Sequence, residues 1–365
     1  MLPKINKTVL IAPLDWGLGH ATRCIPIIRH LEEKGCRILL AASGLQADLL
    51  QKEFPEIKIL QVKGYNISYP VNKDFFSLKI AAQVPKIMRT ISYEHKWLRE
   101  AVKEHKIDAV ISDNRYGMYH EKIPSVFITH QLAVKSGMNN IIDKFLLKQN
   151  KKYINRFNEC WVPDMSDENN LAGELSHPKN ISSKIRYIGW LSRMDKVVSE
   201  KDPIAIGFDI ACILSGPEPQ RTLLEEKVLK QLNSFNGKAV LVRGVSTTQP
   251  FNQSTTQPIT IFNQLSGNEI SNIICKSKLV ICRSGYSSVM DLVKLQQKAI
   301  LIPTPGQTEQ EYLSKYLMQR KIFLSFDQNE FDLQTAVDAA KRFPFLFPGY
   351  KEGYKNAIND LLKII

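Results

Sequence analysis

The chain has 365 residues, 44% of them apolar and 23% charged, with a formal net charge of +13 at neutral pH. That length is more than one hydrophobic core usually serves, so two domains are expected; the lack of any apolar run of about 18 residues excludes a membrane-spanning helix. The basic excess lies in residues 1–165, which carry 25 Lys and Arg against 16 Asp and Glu, and it favours an anionic partner (nucleic acid, an acidic membrane surface or phosphorylated substrates) over a merely solvated basic face.

In chain order, short β-branched runs alternate with helical patterns. Residues 8–13 (TVLIAP) are the first expected strand, and the segment before them is too short in apolar residues for a signal peptide. Residues 21–34 have a helical pattern that Gly35 closes. A strand is expected at 37–42, a helix near 45–53, strands at 57–62, 108–112, 125–129 and 159–162, and helix over most of 76–105. Such alternation implies a parallel sheet covered on both faces. RYIGW at 186–190 reads as a crossing segment. The pattern then restarts, with strands at 209–214, 238–242, 259–262, 279–282 and 299–302 and helices at 218–233, 268–276, 287–296 and 309–320. The expected organisation is two doubly wound, Rossmann-like α/β domains, residues 1–165 and 185–349, with a helical segment at 350–365 placed to cross back to the first. The polar repeat at 246–258 reads as an exposed loop. The six cysteines (24, 36, 160, 212, 275, 282) include no CxxC pair and sit mostly in apolar runs. Buried thiols in a reducing, cytoplasmic compartment are expected, in place of a zinc site or disulfides.

Doubly wound sheets bind ligands beyond the carboxyl ends of their strands, and four segments fall there. In Asp15-Trp16-Gly17-Leu18-Gly19-His20, Gly17 and Gly19 let a ligand approach the backbone, and the helix start offers N–H groups to an anion. Thr22 stands where a dinucleotide fingerprint needs glycine, and no acid ends the second strand, so a dinucleotide site is not expected. His20 is a candidate general base, or else a helix-start histidine bonded to backbone. In the second domain, Ser215-Gly216-Pro217 precedes a proline-opened helix, with Arg221 one turn in. In VICRSGYSSVMDL, Arg283 ends a strand, Gly285 makes the turn, and Ser287 and Ser288 open a helix whose first turn suits a diphosphate. Asp291, four residues after Ser287, shares its face and can accept from two ribose hydroxyls. Arg243 ends the KAVLV strand as a further cation, and Arg283 either meets the phosphates or braces its loop. In PTPGQTEQE, Gln310 and Glu311 open a helix with groups suited to sugar hydroxyls. The convergence of the last three segments on one domain indicates a nucleotide-diphosphate-sugar site.

These residues resemble the two-domain glycosyltransferases of the GT-B fold, and most closely the family containing the peptidoglycan UDP-N-acetylglucosamine transferase that forms lipid II. The resemblance spans nearly the whole chain and rests on CRSGYSSVMDLV, PTPGQTEQEYL, DWGLGH and SGPEPQR. It implies two domains facing across a cleft, the first for the acceptor and the second for the donor. It further implies that Ser215, Gly216, Ser287 and Ser288 hold the diphosphate, that Asp291 takes the place of the family's Glu at the ribose, and that Leu265 lies beside the base. Gln310 and Glu311 would read the sugar, with Glu311 replacing a second Gln, and His130 and Gln131 in THQL match an acceptor-side segment. The implied reaction is an inverting single displacement from a UDP-sugar, with no required cofactor or bound metal.

The expected function is transfer of a hexose or N-acetylhexosamine to an acceptor hydroxyl, with His20 as base and Asp15 and Asp113 behind it. Residues 144–157 interleave Lys144, Lys148, Lys151, Lys152 and Arg156 with Phe145, Leu146, Leu147, Ile154 and Phe157, and residues 75–99 are similar. Such basic amphipathic stretches suit an anionic membrane surface and a lipid-linked acceptor, with the protein at the inner face of the cytoplasmic membrane; the alternative is a core-facing stripe with a basic outer face. The competing functions are a non-hydrolysing UDP-sugar epimerase of the same fold and a catalytically silent UDP-sugar-binding subunit. Nucleic acid is not an expected partner, because no recognition-helix, zinc-finger or ribonucleoprotein motif accompanies the charge.

Overall fold

The computed structural model describes residues 7–67, 82–137, 140–179, 184–195, 207–245 and 259–365. The 246–258 repeat and the first part of the 75–99 stretch lie outside the described residues. One compact unit takes the described residues up to Ser192 together with Lys351–Ile365; a second takes Arg193–Tyr350.

The first unit is built on seven parallel strands: β1 (Thr8–Pro13), β2 (Arg37–Ala42), β3 (Lys58–Gln61), β4 (Ala109–Asp113), β5 (Ser125–Ile128), β6 (Glu159–Val162) and β7 (Ile185–Tyr187). Their spatial order is β3-β2-β1-β4-β5-β6-β7. All residues of β1 and β4 are buried, which is why Val9–Pro13 and Ala109–Ile111 read as continuous apolar runs and not as alternation. Helices α1 (Leu18–Glu33), α2 (Gly44–Glu53), α3 (Val84–His105) and α4 (Asn140–Ile154) occupy the connections. The expected crossing at 186–190 is partly a strand, since Ile185–Tyr187 pairs with β6.

The second unit has six parallel strands: β8 (Phe208–Ile213), β9 (Ala239–Val242), β10 (Ile259–Phe262), β11 (Ser277–Cys282), β12 (Ala299–Leu301) and β13 (Leu324–Ser325), in the order β10-β9-β8-β11-β12-β13. Its helices are α5 (Gln220–Leu232), α6 (Gly267–Cys275), α7 (Tyr286–Leu295), α8 (Thr308–Gln319) and α9 (Leu333–Arg342). β13 and α9 extend the pattern beyond the expected elements. One face of this sheet packs Leu224, Val228 and Leu232 of α5 with Leu333, Ala336 and Ala340 of α9.

The last helix, α10 (Tyr354–Lys363), belongs to the first unit and buries Tyr354, Ala357, Ile358 and Leu361. His30 of α1 meets Asn359 at 3.2 Å, and Arg186 pairs with Asp360 at 2.8 Å. All six cysteines are free thiols; Cys24, Cys160, Cys212 and Cys282 are buried.

Candidate active site

In each sheet the strand order reverses at one place, and there the connections leave in opposite directions and open a crevice at the carboxyl ends. In the first unit the reversal lies between β1 and β4, whose last residues Pro13 and Asp113 are paired. Helix α1 starts at Leu18, three residues earlier than the apolar periodicity indicates, because Gly17 (φ +87) turns the chain directly from loop to helix. Gly19 and His20 therefore lie in the first helical turn. His20 Nδ1 stands 2.8 Å from Asp113 Oδ1.

One turn further on, Arg23 spans the same carboxylate: its Nε donates to Oδ2 and its Nη2 to Oδ1. Its Nη2 also lies 2.9 Å from His20 Nδ1, and its Nη1 lies 3.2 Å from His130 Nδ1. Arg23 and Asp113 are both buried. Burial alone would raise the Asp113 carboxyl, but the Arg23 guanidinium and His20 hold it at about 2. Burial lowers His20, with Arg23 and His130 acting in the same direction and Asp113 opposing them. The result is a neutral imidazole beside a fixed carboxylate. The Cys24 thiol, 3.7 Å from Asp113 Oδ2, is pushed up by burial and by that carboxylate, so it stays protonated.

Of the residues singled out in this unit, His20, Asp113 and His130 come together, and Asp15 does not join them. Asp15 accepts from the backbone N–H of Tyr65 at 3.0 Å and of Asn66 at 3.1 Å, and so shapes the loop after β3. A Cβ on Gly64 would fall 2.2 Å from Asp15 Oδ2. Gln131 follows His130, and its carbonyl accepts from Asn150 of α4 at 2.8 Å.

In the second unit the reversal lies between β8 and β11. The loop after β8 carries Ser215 and Gly216, both exposed, with Gly216 at φ +108. The loop after β11 carries Arg283, which is 1% exposed. Its Nη1 donates to the carbonyls of Ile302 (3.3 Å) and Pro303 (3.2 Å), and its Nη2 to that of Gln220 (2.7 Å). Arg283 therefore braces the ends of three segments, yet its Nε has no partner among the described residues. Burial lowers its guanidinium to about 10. Thr304, after β12, is equally buried, and its hydroxyl also lacks a partner among the described residues. Both atoms neighbour Gly216: a Cβ there would meet Thr304 Oγ1 at 3.7 Å and Arg283 Nε at 4.0 Å.

The other cations are already neutralised. Arg221 pairs with Glu218 at 2.5 Å and with Glu225, and Arg243 pairs with Glu225 at 2.6 Å, so neither brings an uncompensated charge to the loop as expected. Gly285, the residue before α7, has an ordinary φ of −66, so it is not a conformational turn glycine; a Cβ there would meet nothing within 4 Å. The first turn of α7 has no side-chain cap, and Ser287 and Ser288 sit there half-buried, with Asp291 9% exposed behind them. Leu265 is half-buried just before the capping box of Ser266 and Glu269 that opens α6. Gln310 and Glu311 turn back on their own loop: Gln310 Oε1 accepts from Thr304 N–H at 2.9 Å and Glu311 Oε1 from Gly306 N–H at 2.8 Å.

The basic amphipathic stretch of α4 divides in two. Ile154 and Phe157 enter the core. Ile141 (78% exposed) and Phe145 (60% exposed) stay outside, with Lys144, Lys148, Lys151 and Lys152 exposed near them. Met88 of α3 is 45% exposed and accepts a hydrogen bond from Tyr153 of α4. No helix among the described residues is long and apolar enough to cross a membrane.

Residues 218–344 match the glycosyltransferase family 28 C-terminal domain. An uncharacterized glycosyltransferase of Methanosarcina acetivorans is 23% identical over 315 residues, covering 81% of this chain and 79% of that protein. The crystal structure of Acinetobacter baumannii MurG superposes with a TM-score of 0.54 at 15% identity, covering 98% of this chain and all of MurG. The spinosyn rhamnosyltransferase SpnG, solved with thymidine diphosphate, superposes at 0.53 and 14% identity, covering 98% of this chain and 92% of SpnG. The chain is a glycosyltransferase of the GT-B fold, and part of its second unit, residues 218–344, is similar to the glycosyltransferase family 28 C-terminal domain.

Proposed function

We propose that the chain moves a hexose or N-acetylhexosamine from a UDP-sugar to an acceptor hydroxyl with inversion. The observation that supports this most is Arg283. A buried guanidinium with no carboxylate partner among the described residues is costly unless an anion compensates it. It lies beneath a glycine loop, beside the start of α7, which has no side-chain cap, at the strand-order reversal where such sheets take ligands. A diphosphate supplies the missing charge, Asp291 binds the ribose, and the half-buried Ser287 and Ser288 donate to phosphate oxygens. Thymidine diphosphate in the related SpnG structure agrees with a nucleoside diphosphate as ligand.

In the reaction the acceptor oxygen bonds to the anomeric carbon as the bond from that carbon to the diphosphate oxygen breaks. The electron pair leaves with UDP. The acceptor proton passes to His20 Nε2, and the Asp113 carboxylate stabilises the imidazolium that forms. The positive field of Arg283 and the α7 start favours the charge gathering on UDP, so the reading needs no bound metal. We assign the acceptor to a lipid or lipid-linked class because Ile141, Phe145 and Met88 are exposed among lysines on the first unit.

The test is thermal stabilisation of the purified protein by UDP, dTDP, GDP and NAD, then by UDP-sugars. UDP should raise the Tm most; its margin over dTDP reports the 2′-hydroxyl offered to Asp291, and Asp291→Ala should abolish the shift. Equal shifts with all four ligands, or none, would remove the UDP-sugar reading. His20→Asn should keep the UDP shift and reduce transfer by roughly 10²–10⁴-fold.

A further inference from the structure

We propose that Arg23 is the positioning residue of this site: by clamping both oxygens of Asp113 and reaching His130, it sets opposite tautomers on the two histidines, with the proton on Nδ1 of His20 and on Nε2 of His130. The proposal rests on reading His20 as the base, which needs an unprotonated Nε2.

The argument at His130 is one of donor counting. A guanidinium has only donors, so His130 Nδ1, 3.2 Å from Arg23 Nη1, must be the acceptor, and the proton of the neutral ring is on Nε2. At His20 the ring nitrogen Nδ1 stands between an acceptor-only oxygen of Asp113 at 2.8 Å and a donor-only nitrogen of Arg23 at 2.9 Å. It can satisfy one of them. Of the two charges, the carboxylate acts more strongly on the ring. A ring lone pair held against that ionised oxygen would be repelled, whereas Arg23 Nη2 already donates to the same oxygen. The proton therefore sits on Nδ1, and Nε2 is left to take the acceptor proton. Arg23 keeps Asp113 ionised and immobile, and its charge resists a second proton on His20 before substrate arrives.

The charged and titratable groups facing His20 are Arg23 from its own helix, Asp113 at the end of β4 and His130 after β5, with the neutral Cys24 thiol on the far oxygen of Asp113. Removing the guanidinium removes a cation and leaves the anion, so the midpoint of His20 must rise. Nothing in the sequence marks Arg23 out, since a lone arginine on an amphipathic helix ordinarily faces solvent.

The experiment is long-range ¹H–¹⁵N correlation on the full chain with ¹⁵N-labelled histidine, titrated with pH, the signals assigned with His20→Asn and His130→Asn. The wild-type protein should show His20 with the proton on Nδ1 and His130 with the proton on Nε2, with a His20 midpoint below the ordinary 6.5. Arg23→Gln should raise that midpoint by about one pH unit or more and release the His130 tautomer. Arg23→Lys keeps the charge and loses the fork, so the midpoint should stay low while the His130 tautomer is released; this variant decides the matter where Arg23→Gln does not fold. An unchanged His130 tautomer in Arg23→Lys, or a His20 proton on Nε2 in the wild type, would overturn the proposal. The readout is independent of turnover. An active His20→Asn enzyme would defeat the base assignment while leaving the tautomer result standing.

Discussion

At the scale of single residues, the two units share a problem and solve it differently. Each buries a cation at its strand-order reversal. In the first unit Asp113 neutralises Arg23 internally; in the second, Arg283 is neutralised by nothing within the described residues. The pairing in the first unit is vulnerable. Asp113→Asn would strand Arg23 as a buried cation and should cost about 3–5 kcal/mol by denaturant melt. The acid limb changes as well. Asp113 is ionised in the folded state down to about 2 against an ordinary 3.8, so its contribution is present above pH 3.8 and fades as pH falls through 2. The variant should lose that dependence. In the second unit, Thr304→Val should have opposite effects on stability and binding. Removing a buried hydroxyl without a partner should leave the unliganded Tm unchanged or higher, whereas the UDP-induced shift should shrink, because the hydroxyl finds its partner only when donor is bound. A lowered Tm with an intact UDP shift would count against the donor assignment. His20, Asp113, Gly216 and Arg283 were legible because strand ends can be read from apolar runs. Arg23 and Thr304 were not, since Arg23 takes its meaning from Asp113 and His130, distant in sequence, and Thr304 from a buried hydroxyl without a partner among the described residues. Asp15 misled for the same reason: its position beside the glycine loop says nothing of the Tyr65 and Asn66 amides that occupy it.

At the scale of elements, the βα alternation made the parallel sheets readable, since buried central strands are continuous apolar runs that periodicity and length identify. What escaped were elements fixed by tertiary contacts. β13 is two residues long, and α9 depends on Asp332 accepting from the Thr335 amide at 2.9 Å and on packing against α5. The 186–190 segment looked like a mere crossing because β7 has three residues and no buried face. Just after it, Gly189 at φ +71 forms a bridge with Glu352, and a Cβ there would meet Lys351 O at 2.4 Å and Gly353 N at 3.0 Å. Both obstacles are backbone, so neither can rotate away. Gly189→Ala should therefore destabilise the protein by about 1–3 kcal/mol. The loss should concentrate on α10, seen as faster amide exchange across Tyr354–Lys363 than elsewhere in the first unit. Uniform loss of protection would mean that α10 is not held by this bridge.

At the scale of the whole molecule, the charge of +13 and its bias to the first half acquire a location. The basic excess is partly displayed on α4 with apolar side chains that the core does not use. Ile141 and Phe145 are four residues apart, hence on one face, and Lys148 and Lys152 continue the same stripe. A soluble surface gains nothing from leaving Ile141 at 78% exposure, whereas an interfacial helix inserts such residues and pairs its lysines with anionic headgroups. Each lysine near a charged bilayer contributes about 1 kcal/mol, an effect that salt screens. The full chain should therefore sediment with phosphatidylglycerol vesicles at low salt, dissociate as salt is raised, and ignore phosphatidylcholine vesicles. Ile141→Glu with Phe145→Glu should abolish sedimentation while leaving the UDP-induced Tm shift intact, since neither residue belongs to the second unit. Equal binding to neutral and anionic vesicles, or binding unaffected by the two glutamates, would show that this face is not the membrane contact and would detach the lipid acceptor from the glycosyl transfer.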